Sequence, residues 1–343
     1  MQYEVTIGIP VYRAVDYIRQ TMESALGQSF PSIEFLIVDD CGEDGSIAIV
    51  EELQQKHPRG EAIRIVRHDK NLGVGVARNR ILSEAHGKYL YFLDSDDIIE
   101  PDTIDKFVSV ARKFDTDVVY GSWERVDMVN HAPSLPCVYP YQELHTPDSM
   151  AMYAFMHYSS FRISVCNCLM NMSFLRSEHL KFIDTMFWED LAFTYEMVTK
   201  VNRAILLPDI TYHYLCRPGS LSHYQDREVL RKDEILRNVE TINYLKEKCH
   251  GLIKKEYLPY LCYNLEMNSF YIVCHNLKRR RLIIPELSIS EMHSFLFHPL
   301  SLGDILGFRH KLVHNLFFWI ISYMPPRISL FVVKLLGGIK KLI

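Results

Sequence analysis

Short apolar runs alternate with amphipathic segments along residues 5–93, and that alternation leaves few folds open. Val5-Thr-Ile-Gly-Ile9, Ile33-Glu-Phe-Leu-Ile-Val38, Ile63-Arg-Ile-Val66 and Lys88-Tyr-Leu-Tyr-Phe-Leu93 read as strands. Near-continuous apolar runs of this kind are what strands buried on both faces require. Between them, residues 14–28, 46–56 and 75–85 read as helices; in the first, Tyr17, Ile18, Met22, Ala25 and Leu26 recur at helical spacing. The order predicts an α/β fold, a mostly parallel twisted sheet with flanking helices. Thr116-Asp-Val-Val-Tyr120 continues the sheet, residues 204–207 and 210–215 add strands, and the proline-rich stretch 130–147 reads as an inserted loop. From residue 226 onward the pattern is helical.

The fourth run ends in Asp94-Ser95-Asp96-Asp97. Three carboxylates so close repel and raise one another's pKa unless positive charge sits among them. A hard divalent cation carrying a phosphate meets that demand, since Mg²⁺ and Mn²⁺ prefer oxygen ligands. Strand ends in open α/β sheets are also where ligands bind. The competing reading is a solvated turn or helix start, and Asp97 is the residue expected to cap the helix that follows. The first two runs end in Pro10-Val-Tyr12 and Val38-Asp-Asp40, which would open on the same crevice. A carboxylate there can accept a hydrogen bond from a nucleobase, or simply make a turn. Asn71-Leu-Gly73-Val-Gly75-Val-Ala-Arg78-Asn79 is a glycine-bearing loop that starts a helix and lets backbone approach an anion. It is not the dinucleotide fingerprint, because Arg78 occupies the third glycine position. Arg78 fits a nucleotide contact or an ion pair with a site aspartate equally well.

Taken in order, Ile9-Pro-Val-Tyr12, Val38-Asp-Asp40 with Gly42 to Ser46, Asn71-Leu-Gly73 through Asn79 and Phe92-Leu-Asp-Ser-Asp-Asp97 resemble the family 2 glycosyltransferases of GT-A fold. The likeness covers residues 1 to about 220. It implies an inverting transfer from a nucleotide-diphosphate sugar, with a UDP-sugar as the expected donor and Mn²⁺ or Mg²⁺ as cofactor. Asp40 then matches the aspartate that meets the base, Pro10 and Tyr12 line the nucleoside pocket, and Arg78 lies near base or ribose. Asp94 and Asp96 form the Asp-x-Asp motif with Ser95 between them, Asp96 as direct metal ligand and Asp94 acting on ribose or through water. Phe187-Trp-Glu-Asp190 resembles the family's Glu-Asp element. A carboxylate at a helix N-terminus is ionised by the dipole and fixed in direction, so Asp190 is the candidate base and Glu189 positions the acceptor. The alternative is that both acids merely favour a first helical turn. Arg217 and Ser220, in His213-Tyr-Leu-Cys-Arg217-Pro-Gly-Ser220, resemble the segment that closes over the pyrophosphate. Cys41 departs from the glycine or asparagine common after the aspartate pair, which bears on the geometry of that turn.

The resemblance places the catalytic domain at 1–224 and a helical region at 225–343. Charge divides the same way: residues 225–343 hold 18 Lys and Arg against 11 acidic residues, although the whole chain of 343 residues carries −4. A net negative chain argues against general nucleic-acid binding. Residues 303–343 hold six basic residues and one acid, with Phe317, Phe318, Trp319 and Phe331 among them. Such a composition fits an interfacial helix at an anionic bilayer, or packing on the catalytic domain or a dimer partner. Eight scattered cysteines and no basic, apolar leader predict free thiols in the cytoplasm. The basic, apolar tail predicts peripheral attachment to the inner membrane face, and by functional analogy with the resembled family the acceptor is a saccharide or lipid-linked saccharide. The rival readings are a sugar-phosphate nucleotidyltransferase, which would want a basic glycine loop after the first strand, and a non-catalytic sugar-nucleotide scaffold.

Overall fold

The computed structural model describes residues 3–128, 133–157, 164–185, 188–217, 229–340 and 342. These fall into two compact units, one built from Met1–Met150, Arg162–Asp184 and Glu189–Ser220, the other from Ala151–Phe161, Thr185–Trp188 and Leu221–Ile343.

In the first unit β1 (Val5–Val11), β2 (Ile33–Asp39), β3 (Ile63–Arg67) and β4 (Tyr89–Phe92) run parallel in the order β3-β2-β1-β4. Helices α1 (Ile18–Leu26), α2 (Ser46–Lys56) and α3 (Val74–Glu84) make the crossovers. Every residue of β1 and β4 is buried, which is why these runs lack polar alternation. Register aligns Pro10 with Val38 and Val11 with Asp39, so the first two strand ends finish level.

Beyond β4 the sheet is mixed. The chain makes β5 (Ile98–Ile99), α4 (Thr103–Phe114), β6 (Val118–Asp127), β7 (Leu135–Cys137), β8 (Gln142–Leu144) and α5 (Ser149–Met152). It continues with β9 (Cys168–Asn171), α6 (Met172–Ser177), α7 (Glu189–Val198) and β10 (Ala204–Cys216). β9 enters between β4 and β6 antiparallel to both, while β10 runs parallel to β6. The stretch expected as a plain loop contributes β7 and β8, which pair antiparallel with β6 and β10. Those two long strands have edges to fill, and short proline-flanked segments suffice.

The second unit is helical: α8 (Lys232–Lys248), α9 (Leu258–Lys278), α10 (Ile289–Ser294), α11 (Leu302–Leu306), α12 (Leu312–Tyr323) and α13 (Pro326–Ile339). Pro325 and Pro326 break α12 from α13, proline being tolerated at the first turn of the new helix. α13 buries Ser329, Leu330, Val333 and Gly337 and turns Ile328, Phe331, Leu335 and Ile339 outward. Phe318, which sequence alone groups with the membrane-facing aromatics, is instead buried and packs its ring on Phe270 and Tyr263 of α9. Its place at the α12 positions shared with Asn315 and Ile321 puts it on the inner face. None of the described helices is long and apolar enough to cross a membrane.

The core of this unit holds a fully buried ion pair, Lys246 Nζ to Glu266 Oε1 at 2.9 Å. Burial pushes the Glu266 carboxyl up to about 7, with Lys246 pulling it down. Removing one partner strands the other charge in an apolar interior. Lys246→Met is therefore expected to cost about 3–5 kcal/mol in thermal or urea unfolding, with Lys246→Met/Glu266→Leu recovering most of the loss. A single variant as stable as the parent would refute the pairing.

Candidate active site

β1 and β2 deliver their terminal residues to one edge of the sheet. Pro10 is buried and Tyr12 is 41% exposed, with the Arg13 guanidinium 5.3 Å from its ring centre. Asp40 is nearly fully buried and tied down on both oxygens: Leu72 and Gly73 donate backbone N–H groups at 2.9 and 2.8 Å, and His68 Nδ1 lies 2.7 Å away. Its observed work is to hang the glycine loop on the end of β2. Asp39 is less enclosed and accepts from the Cys41 N–H at 3.0 Å. Cys41 has φ +59°, a left-handed conformation that suits glycine or asparagine, so the unusual residue carries strain at this turn. Gly42 is required for another reason: a Cβ there would stand 2.6 Å from the Arg13 backbone nitrogen. Asp44 then joins the two loops, accepting from Val15 N at 3.0 Å and from Ser46 at the start of α2.

The tetrad after β4 splits by burial. Asp94 accepts from Arg78 Nη2 at 2.7 Å and from the Cys166 thiol at 3.2 Å. Ser95 is half-buried beside it. Asp96 accepts from Arg217 Nε at 2.6 Å, and the Arg217 guanidinium lies 4.6 Å from the Tyr17 ring centre. Asp97 does not cap a helix. It is buried, accepting from Tyr212 Oη at 2.5 Å and Leu215 N at 2.8 Å, and so fastens the end of β10. α4 starts only at Thr103, after Asp102.

Glu189 and Asp190 form the first turn of α7, entered through Trp188 at φ +61°. Glu189 is buried and accepts from Arg78 Nη1 at 2.5 Å, whereas Asp190 is half-buried and accepts from Leu191 N at 2.7 Å. Arg78 therefore bridges the Asp94 and Glu189 carboxylates, the pairing that its sequence position leaves open. Burial works against the Arg78 charge, and Asp94 and Glu189 more than offset it. Burial lifts Glu189 to about 7 against the pull of Arg78, and burial raises the Asp190 carboxyl too. Burial and the adjacent Asp94 raise Asp96, with Arg217 opposing.

His213 has both ring nitrogens engaged, by Glu124 at 2.8 Å and Glu100 at 2.7 Å. Ser220 and Phe187 lie outside the described residues. Sequence reasoning misses Cys166 and His68. Nothing in their spacing links position 166 to 94 or 68 to 40, because only sheet closure brings them together.

Asp94 and Asp96, each paired with one arginine, still offer carboxylate oxygens on neighbouring residues. Mg²⁺ and Mn²⁺ are commonly held by one or two carboxylates together with substrate phosphates, so this donor set fits such an ion. Among the described residues no group of three or more His, Cys, Asp or Glu side chains forms a protein-only cage.

A parallel α/β half, a mixed second half and acids at the shared strand edge define a GT-A-like fold. Residues 6–176 match the family model "Glycosyl transferase family 2". The chain belongs to that family. It is 45% identical over 102 residues to the putative teichuronic acid biosynthesis glycosyltransferase TuaG of Bacillus subtilis, covering 30% of this chain and 39% of that protein. It is 26% identical over 287 residues to the succinoglycan biosynthesis protein ExoO of Rhizobium meliloti, covering 81% and 79%. The crystal structure of S. aureus TarS 1-349 in complex with UDP-GlcNAc superposes with a TM-score of 0.67 at 20% identity, covering 93% of this chain and 89% of that one.

The split within the tetrad is testable by stability. Asp97→Ala leaves the Tyr212 hydroxyl and the Leu215 N–H without their acceptor, at an expected cost of about 1–3 kcal/mol in thermal unfolding. Ser95→Ala, in the half-buried part of the tetrad, should leave the melting temperature within a degree or two. Equal melting of the two variants would contradict this division.

Proposed function

We propose that this chain is an inverting glycosyltransferase that moves a sugar from a nucleotide diphosphate, with UDP-sugar the favoured donor class, to an acceptor hydroxyl during assembly of a cell-surface polysaccharide or glycolipid. The observation that carries this reading is the joining of the donor-side acid Asp94 and the Glu189–Asp190 turn through one buried arginine. The UDP-GlcNAc complex of TarS and the teichuronic acid and succinoglycan biosynthesis named for TuaG and ExoO support the donor class and the setting.

Pro10 and Tyr12 flank the nucleoside, with Asp40 fixing the loop that borders it. Asp94 and Asp96 would hold Mn²⁺ or Mg²⁺, which when bound supplies positive charge to the diphosphate. Arg217 brings a guanidinium to the same acidic end and steadies the leaving group. Asp190 takes the proton of the acceptor hydroxyl as that oxygen attacks the anomeric carbon and the bond to the diphosphate breaks on the opposite face. A base must be ionised to act, so with its carboxyl raised by burial, turnover is lost as pH falls through that raised pKa. Asp190→Asn should lower kcat by about 10²–10⁴-fold while Mn²⁺-dependent UDP binding, measured by calorimetry, survives. Normal turnover by this variant would overturn the base assignment.

The acceptor is read as a saccharide or lipid-linked saccharide met at the inner face of the cell membrane, with the second unit as the attachment. Ile328, Phe331, Leu335 and Ile339 form an exposed apolar stripe on α13, and exposed Arg327, Lys334 and Lys340 accompany it. Basic residues near an anionic surface each contribute about 1 kcal/mol. The full chain should co-float with vesicles containing phosphatidylglycerol, release with salt, and lose binding on Phe331→Ser/Leu335→Ser. Failure to bind such vesicles, with a dimer in sedimentation that the same variant dissociates, would assign the stripe to a second copy instead.

A further inference from the structure

The face of α3 that begins with the glycine loop looks toward α7. Gly75, Arg78 and Asn79 stand at i, i+3 and i+4, hence on one side of the helix. Each of the three meets Phe182, Ile183 or Glu189. A Cβ on Gly75 would stand 3.0 Å from the Ile183 carbonyl oxygen and 3.4 Å from Glu189 Cγ. Asn79 exchanges two hydrogen bonds with the Phe182 backbone, donating Nδ2–H to its oxygen at 2.8 Å and accepting its N–H at 2.9 Å. Arg78 lies 5.6 Å from the Phe182 ring centre, and that ring stacks on Phe193 of α7 at 4.2 Å and 6°. One guanidinium nitrogen of Arg78 is committed to Glu189 and the other to Asp94, and its Nε is buried with no hydrogen-bond partner among the described residues.

We propose that Arg78 is a positioning residue which, with Gly75 and Asn79, seats α7 on α3 and sets the distance between the donor-side Asp94 and the Glu189–Asp190 turn, and that it takes no part in holding the nucleotide. A motif that by resemblance belongs to the nucleoside pocket thereby serves the acceptor side of the reaction. This rests on Asp190 being the base. Contact with a base or ribose through the Glu189-bound nitrogen would leave that buried acid uncompensated, while release of the half-buried Asp94 would break the bridge between the two carboxylates. Asp94 keeps its second hold, the Cys166 thiol, when Arg78 is changed.

The test separates binding from turnover in the full chain with Mn²⁺, using UDP as the calorimetric probe and the best UDP-sugar from a donor panel for rates. Arg78→Lys keeps the charge but not the two-armed reach. It should lower kcat by about 100-fold, the scale expected for misplacement of reacting groups, and leave the Kd for UDP within about threefold. Gly75→Ala and Asn79→Ala leave all charges in place and should each lower kcat by roughly tenfold, again with UDP affinity and donor KM within about threefold. If Arg78→Lys does not fold, these two variants decide the matter alone. UDP affinity reduced by tenfold or more with kcat unchanged would make Arg78 a nucleotide contact and overturn the proposal, as would parental kcat in all three variants. Asp190→Asn is read separately: its normal turnover would remove the base assignment, whereas the split between kcat and UDP affinity at position 78 reports on Arg78 itself.

Discussion

Negative charge crowded at the end of a buried sheet is the constraint from which the rest of this structure follows. Asp94, Asp96, Asp97 and Glu189 are all partly or wholly removed from water, and each has had to find compensation. Arg78 serves two of them, Arg217 a third, and a tyrosine hydroxyl with a backbone amide the fourth. The means of compensation sorts the acids. Where neutral donors hold a carboxylate, as at Asp97, it works as a structural anchor. Where arginines hold it, the acid stays within a charged cluster, Arg78 between Asp94 and Glu189 and Arg217 at Asp96.

The same logic explains why the first half of the unit is so regular. Strands buried on both faces are largely apolar, the buried Thr6 and Glu34 satisfying each other, and parallel strands put their acidic C-terminal ends on one edge. Pro10, Asp39, Asp40 and the tetrad gather there because the register of β1 against β2 and β4 allows no other finish. Loops are then fastened to each other through carboxylates: Asp40 to the 68–73 loop, Asp44 across the first two turns.

Local pattern and motif order make the parallel half and its acidic edge legible, because both follow from short-range rules. What escapes is non-local. The Asp97-Ile-Ile-Glu100-Pro101 stretch carries every mark of a helix start, yet Asp97 turns inward, since β10 brings Tyr212 and Leu215 to it across 115 and 118 residues. Phe318 is apolar like its neighbours Phe317 and Trp319, and only the packing of α12 on α9 decides which ring faces in. Arg78 stays undecided in the sequence because one helix position serves a nucleotide or an ion pair with the same chemistry. The Cys166 thiol at Asp94 has no local signal of any kind.

The strand β9 has a consequence for how the unit is assembled. It lies between β4 and β6 in space but is made only after both, with residues 93–167 intervening before it can close on β4. Closing a loop of that length has an entropic cost that is met only once the pairing forms. Until then β4 presents an open edge of wholly buried-type residues, Tyr89 to Phe92, of the sort that recruits foreign strands. Four residues, Cys168 to Asn171, thus cover the edge of β4 and tie the two halves of the sheet together, so a chain ending before residue 168 lacks the strand that closes that edge.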